Sequence, residues 1–345
     1  MNIKIENLND SWKQFTLNND RGMSVKILNY GGIITGIFVP DKHGNVENVV
    51  VGYKDYRDYV KDPNYFGAIV GRVAGRIQDS SFTLDGQTYT VDENEGKHHL
   101  HGGRNGLHCV IWDDEIIETD SSVSVKLSYR SLEEDRGYPG NLTVAVTYTL
   151  NNDNDLIVNY EATTDKKTVL TLTNHTYFNL NGNLKETIHN HHVTVDSSRF
   201  VELDEELIPT GKILSVDKTS FDFRNGKYLA DGIESPAEQN KLALNGYDHY
   251  FLFDKQKDKD VIVKEENSGR ILTIKTNQPG VVIYTGNNIK NGLELAERSS
   301  EKYLGVTFET QSSPASLHNE GFPSIILEAD DTYEQQTVFT FGIEK

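Results

Sequence analysis

The stretch Leu142-Thr-Val-Ala-Val-Thr-Tyr-Thr-Leu150 alternates apolar and small or polar residues with a period of two. Successive side chains of a β-strand point to opposite faces, so this pattern predicts a strand with one face in a core. Leu156-Ile-Val-Asn-Tyr160 and Val169-Leu-Thr-Leu-Thr173 read the same way. Between them, Asn151-Asn-Asp-Asn-Asp155 and Thr163-Thr-Asp-Lys-Lys167 carry the residues that favour turns, which makes the region a meander. Upstream, Asp85-Gly86 lies between Phe82-Thr-Leu and Thr88-Tyr-Thr-Val91 and predicts a tight hairpin.

Helical patterns are few, and only Tyr53–Val60 and Lys227–Asn240 suit short helices. The charged tract Asp254–Glu266 reads as a solvated loop and strand edge. No repeat, low-complexity tract or Pro-rich linker divides the 345 residues. The expected fold is therefore all-β: a large antiparallel sandwich with few short helices, residues 1–345 forming a single domain.

Composition narrows the partners. A formal net charge of −18 repels polyanions, so neither nucleic acid nor an anionic membrane is expected. The first residues have no apolar signal core, and no apolar run approaches the length of a membrane span. Cys109 is the single cysteine, which leaves no internal disulfide and fits a reducing, cytoplasmic compartment.

Two segments carry candidate chemistry. Read as one strand, Thr171–Leu180 places Thr171, Thr173, His175, Tyr177 and Asn179 on one polar, aromatic face. Near the C-terminus, Thr307, Glu309 and Gln311 alternate with Val306 and Phe308. A carboxylate inside such a strand is exposed, paired or functional. Pattern alone favours a solvent-facing sheet surface in both cases. The histidine groups at 98–101 and 189–192 lack the helical or cysteine-bearing spacing of a metal site, so no metal and no cofactor is expected.

Taken in order, GRVAGRI (71–77), LHGG (100–103), RGYPGNL (136–142), LTNHTYFNL (172–180), GYDHYF (246–251), YTGN (284–287) and FETQ (308–311) resemble the galactose mutarotase (aldose 1-epimerase) family. With FVELDEELIPTGKI (200–213), FDFR (221–224) and PSIILEADDTYEQQTVFTF (323–341), the resemblance runs from about Val25 to Phe341. It implies a sandwich whose concave face holds a free monosaccharide such as galactose or glucose, in a monomer or homodimer. It also implies roles. Glu309 becomes the general base, His175 the general acid, and His101 a neighbour of the anomeric carbon and ring oxygen. Arg76 and Asp248 hydrogen-bond ring hydroxyls, and Tyr177 and Tyr284 line the site. Three positions depart from common members: Gly75 replaces Asn, Val282 replaces a Gln found in some, and Asn288 stands where an aromatic is common.

Other classes stay in view. A non-catalytic sugar-binding module needs no acid–base pair, and a glycosidase uses two carboxylates rather than a carboxylate and an imidazole. A sugar-phosphate epimerase calls for clustered basic residues, where this chain offers Arg72 and Arg76. An open sandwich face also admits a disaccharide such as maltose.

Overall fold

The computed structural model describes residues 1–133, 136–255 and 258–344. The meander is present: strands Ser122–Ser131, Leu142–Asn151 and Asp155–Thr164 pair antiparallel in sequence order. They belong to a nine-stranded sheet that continues through Thr332–Ile343, Arg270–Thr276, Val261–Glu265 and His192–Val195. A six-stranded sheet faces it, in the order Tyr177–Phe178, Val306–Gln311, Gly280–Tyr284, Asp248–Leu252, Arg199–Leu203, Pro209–Ser215. A five-stranded N-terminal meander, from Asn2–Asn7 to Val46–Asn48, completes the β-architecture.

Alternation along these strands builds the core. Val144, Val146, Tyr148 and Leu150 point inward beside Leu156, Val158 and Tyr160. Phe178 of the six-stranded sheet meets its own sheet neighbour Phe308 at 6.3 Å and, across the layers, Phe339 at 5.5 Å and Phe341 at 6.4 Å. Each such buried aromatic contributes roughly 1.5–3 kcal/mol by removing apolar surface from water. The hairpin forms as expected, with Asp85 and Gly86 at φ +50° and +79°, the backbone of a type I′ turn.

Two expectations need correction. Thr171–Leu180 is not one strand: Thr173–Asn174 pairs with Ile69–Val70, and Tyr177–Phe178 pairs with Val306–Thr307. Asn174 Oδ1 accepts the Thr176 N–H at 3.1 Å and its hydroxyl, which turns the chain at His175. The segment thus passes between layers with both faces buried. Next, Val261–Glu265 is an interior strand of the large sheet, because Val261 and Val263 alternate into the core. Within that charged tract, Gln256 and Lys257 lie outside the described residues. Lys227–Asn240 holds short helices as expected, Ala230–Ile233 and Glu238–Leu242 on either side of Pro236, after a two-residue strand, Lys227–Tyr228. The other helical tract forms a 3₁₀ turn over Tyr56–Lys61. No helix among the described residues is long and apolar enough to cross a membrane.

Candidate active site

Register on the six-stranded sheet creates the site. Tyr177 opposes Thr307, Thr307 opposes Tyr284, and Tyr284 opposes Asp248. One pair along, Glu309 opposes Val282, and Val282 opposes Tyr250. Directly opposed residues share a face, as do residues two apart. These side chains therefore point away from the aromatic core, and all but Thr307 line a cavity of about 200 Å³. Segments outside the six-stranded sheet complete its lining. The two-residue strand Arg76–Ile77, paired with His99–Leu100, delivers Arg76, and His101 follows directly. The Asn174 turn delivers His175. The seven residues Arg76, His101, His175, Tyr177, Asp248, Tyr284 and Glu309 all line this cavity.

Glu309 is 3% exposed, so the solvent-facing reading of its strand is wrong. Its Oε1 accepts the Thr307 hydroxyl at 2.9 Å and lies 3.3 Å from His175 Nε2. Among the described residues, Oε2 receives no hydrogen bond. Burial raises the Glu309 carboxyl to about 8 and lowers the His175 imidazole to about 4, because each environment disfavours the charged form. Across a wide range of pH the two groups together hold one proton.

His101 is fixed differently. Its Nδ1 accepts the Gly75 N–H at 3.1 Å, so the ring proton sits on Nε2. Burial, reinforced by the nearby His175 and Arg76, pushes its pKa well below the usual value and keeps the ring neutral. Gly75 sits at φ +83°, and a Cβ there would meet Pro314 Cγ at 3.1 Å.

Arg76 reaches Asp248 Oδ2 through Nη1 at 3.5 Å, which brings together the two expected hydroxyl-binding residues. Burial raises the Asp248 carboxyl, with Arg76 opposing the shift. Arg72, by contrast, faces away from the cavity. It is buried and donates to Ser131 Oγ at 3.1 Å, Ser131 O at 2.9 Å and Pro139 O at 3.1 Å. Among the described residues Arg76 is the one Lys or Arg side chain lining the cavity, too few for a phosphate cluster.

His101, His175 and Glu309 place candidate ligand atoms within 4.8 Å of one another. A metal-bound histidine offers one nitrogen's lone pair and donates its other N–H outward. His101 does the reverse, accepting at Nδ1 and presenting N–H at Nε2, a donor set suited to hydrogen bonding rather than ligation. The remaining histidines disperse. His99 bonds Tyr138 OH at 2.6 Å, and His191 accepts the Leu180 N–H at 2.8 Å, each within the packed interior.

Tyr65 and Glu95 are among the cavity residues that sequence reasoning passed over. Tyr65, at φ +57°, packs its ring on His101 and His108 at 4.8 and 4.7 Å. Its loop is held by Asp62, whose carboxylate accepts the Asn64 and Phe66 N–H groups at 2.8 and 2.6 Å. Asp62-Pro63-Asn64 is turn chemistry, the one signal available in advance. Glu95 grips Arg76 from the far side of Asp248, and nothing in its sequence context separates it from other acidic loop residues.

The family model described as aldose 1-epimerase matches residues 13–340. The chain belongs to the aldose 1-epimerase family. It is 37% identical over 334 residues to galactose mutarotase of Sus scrofa, covering 96% of this chain and 94% of that protein. It is 32% identical to aldose 1-epimerase of Streptococcus thermophilus, with 95% and 94% covered. Among solved structures, galactose 1-epimerase from Lactobacillus acidophilus superposes with a TM-score of 0.88 at 30% identity, covering 100% of this chain and 99% of that one. A GalM/aldose epimerase homologue from C. elegans gives 0.87 at 32% identity, covering 96% and 98%. The large antiparallel sandwich is thus the aldose epimerase fold, and family membership makes the protein an enzyme of carbohydrate isomerisation.

Proposed function

We propose that the protein interconverts the α and β anomers of free aldohexoses such as galactose and glucose, by acid–base ring opening and re-closure without a cofactor. The observation that carries this reading is the buried His175–Glu309 pair, 3.3 Å apart on a cavity of about 200 Å³. Mutarotation removes a proton from the C1 hydroxyl and delivers one to the ring oxygen; closing the other carbonyl face reverses both transfers. A pair that jointly holds one proton is suited to this. The reactive one-proton form with cyclic sugar bound has Glu309 as carboxylate and His175 as imidazolium, reached from the neutral pair that burial favours by passing the shared proton from Glu309 to His175. Ring opening moves the C1 proton to Glu309 and the His175 proton to the ring oxygen, leaving both groups neutral. C1 then turns, and the same groups return the protons.

The environment supports those assignments. Burial favours the neutral forms, which match the open-chain stage of the cycle. Thr307 anchors one oxygen of Glu309, leaving Oε2 for the C1 hydroxyl. The fixed Nε2–H of His101 is a preorganised donor to oxygen that gains charge as the ring opens. Arg76 and Asp248 offer adjacent donor and acceptor groups that hold the ring hydroxyls while C1 rotates. Tyr177 and Tyr284, with ring centroids 6.0 Å apart, wall the sugar. Val282, directly opposite Glu309, removes one polar contact from this face and bears on which sugar is preferred. We also read residues 1–345 as a single domain that works in the cytoplasm, which the lone cysteine supports.

Polarimetry on freshly dissolved pure anomers of galactose, glucose, xylose, arabinose and maltose tests the reading. Faster relaxation is expected for at least one hexose. Unchanged relaxation for all five at ample enzyme overturns it.

A further inference from the structure

Arg76 is gripped by more carboxylate than its charge requires. Asp248 Oδ2, at 3.5 Å from Nη1, already supplies one negative charge beside the guanidinium. On the opposite edge, Glu95 Oε2 accepts from Nε at 2.6 Å and Oε1 accepts from Nη2 at 3.0 Å. This two-point fork fixes the plane of the guanidinium as well as its position, which a single contact does not do. It takes up the Nε–Nη2 edge and turns Nη1 toward Asp248 and the cavity.

Glu95 is itself held in place. Its N–H donates to His98 O at 3.1 Å, and its carbonyl accepts the His98 N–H at 2.9 Å. The turn thus closed leads directly into His99–Leu100, the strand paired with Ile77 and Arg76. Clamp and clamped residue therefore ride on one small two-stranded unit. The contact between Arg76 and Asp248 is long for a charged hydrogen bond, so both groups keep hydrogen-bonding capacity facing the cavity.

We propose that Glu95 is a positioning residue for substrate binding: it locks Arg76 so that Nη1 and Asp248 Oδ2 present a donor and an acceptor side by side to a pair of neighbouring sugar hydroxyls. This rests on the reading that Arg76 and Asp248 hold the sugar. Glu95 acts through Arg76 and leaves proton transfer at Glu309 and His175 untouched.

The test is a double-mutant cycle with kcat and KM for galactose measured polarimetrically, each variant first checked for a wild-type unfolding transition. Glu95→Gln keeps shape and one acceptor; Glu95→Ala removes both. The expected result is a KM raised about tenfold in Glu95→Ala and less in Glu95→Gln, with kcat within about threefold and an unshifted pH profile. Arg76→Ala alone should raise KM at least as much, and adding Glu95→Ala to it should raise KM no further. An unchanged KM in Glu95→Ala, or additive effects in the double variant, overturns the positioning role while leaving Arg76 as a sugar contact. An unchanged KM in Arg76→Ala overturns the sugar-holding reading itself and this proposal with it. Should Glu95→Ala fail to fold, Glu95→Gln in the same cycle decides the question by the same criterion.

Discussion

His175 Nε2 lies 3.3 Å from Glu309 Oε1, and both side chains are buried at the wall of a sugar-sized cavity. Only one of the two residues reaches this arrangement by strand alternation. Glu309 projects from the six-stranded sheet, whereas His175 arrives on a turn between two short strands that belong to different sheets.

The pair predicts a bell-shaped pH profile. In the free protein burial lowers His175 to about 4 and raises Glu309 to about 8. The one-proton form exists between those limits, and kcat/KM reports free-enzyme ionisations. Measured kcat/KM should fall below about pH 4 and above about pH 8. A profile flat through pH 9 contradicts the assignment.

Stability should respond to the same groups. Glu309 binds its proton more tightly folded than unfolded, its pKa rising from 4.5 to about 8. That contribution is fully present below about pH 4.5 and is lost as pH rises through about 8. Glu309→Gln lacks it. Relative to this variant, the wild type should lose stability between pH 5 and 9, by at most on the order of 5 kcal/mol. Denaturant unfolding of both proteins across that range checks the sign.

Much of this was readable in advance, and the limits have physical causes. Leu142–Leu150 declared its strand because one face is core and the other is not, the condition under which a period of two is visible. Thr171–Leu180 misled because both of its faces are buried, so alternation there carries no inside and no outside. The charged tract Asp254–Glu266 misled through its charge, that of Glu265 included. That carboxylate is buried, accepting the Asn267 and Ser268 N–H groups at 2.9 and 2.7 Å. Glu309 was found by resemblance, its burial being invisible in composition. Glu95 and Tyr65 act through loop geometry, which leaves no periodic trace.

Asp62 should matter to the site although it holds no sugar. Removing its carboxylate strands the Asn64 and Phe66 N–H groups it accepts and frees the loop carrying Tyr65. Asp62→Ala should cost about 2–4 kcal/mol in unfolding free energy and reduce activity, with Asp62→Asn milder on both counts. Thermal or urea unfolding beside polarimetric kcat measures the two effects.

Val282 stands between Glu309 and Tyr250 on the cavity-facing side of the sheet. Val282→Gln adds a hydrogen-bonding group there without touching the proton-transfer pair. The variant should remain active while its galactose-to-glucose ratio of kcat/KM shifts by about three- to tenfold, the value of one hydrogen bond. An inactive but folded variant would show that the position does more than select the sugar.

The most direct test of the account follows the optical rotation of freshly dissolved α-galactose with equal amounts of wild type and Glu309→Gln, and measures galactose binding to the variant in the same preparation. Wild type should speed relaxation, and the variant should be slower by about 10²–10⁴-fold with binding little changed. A folded Glu309→Gln protein that relaxes galactose within about threefold of wild type would contradict the role of the His175–Glu309 pair.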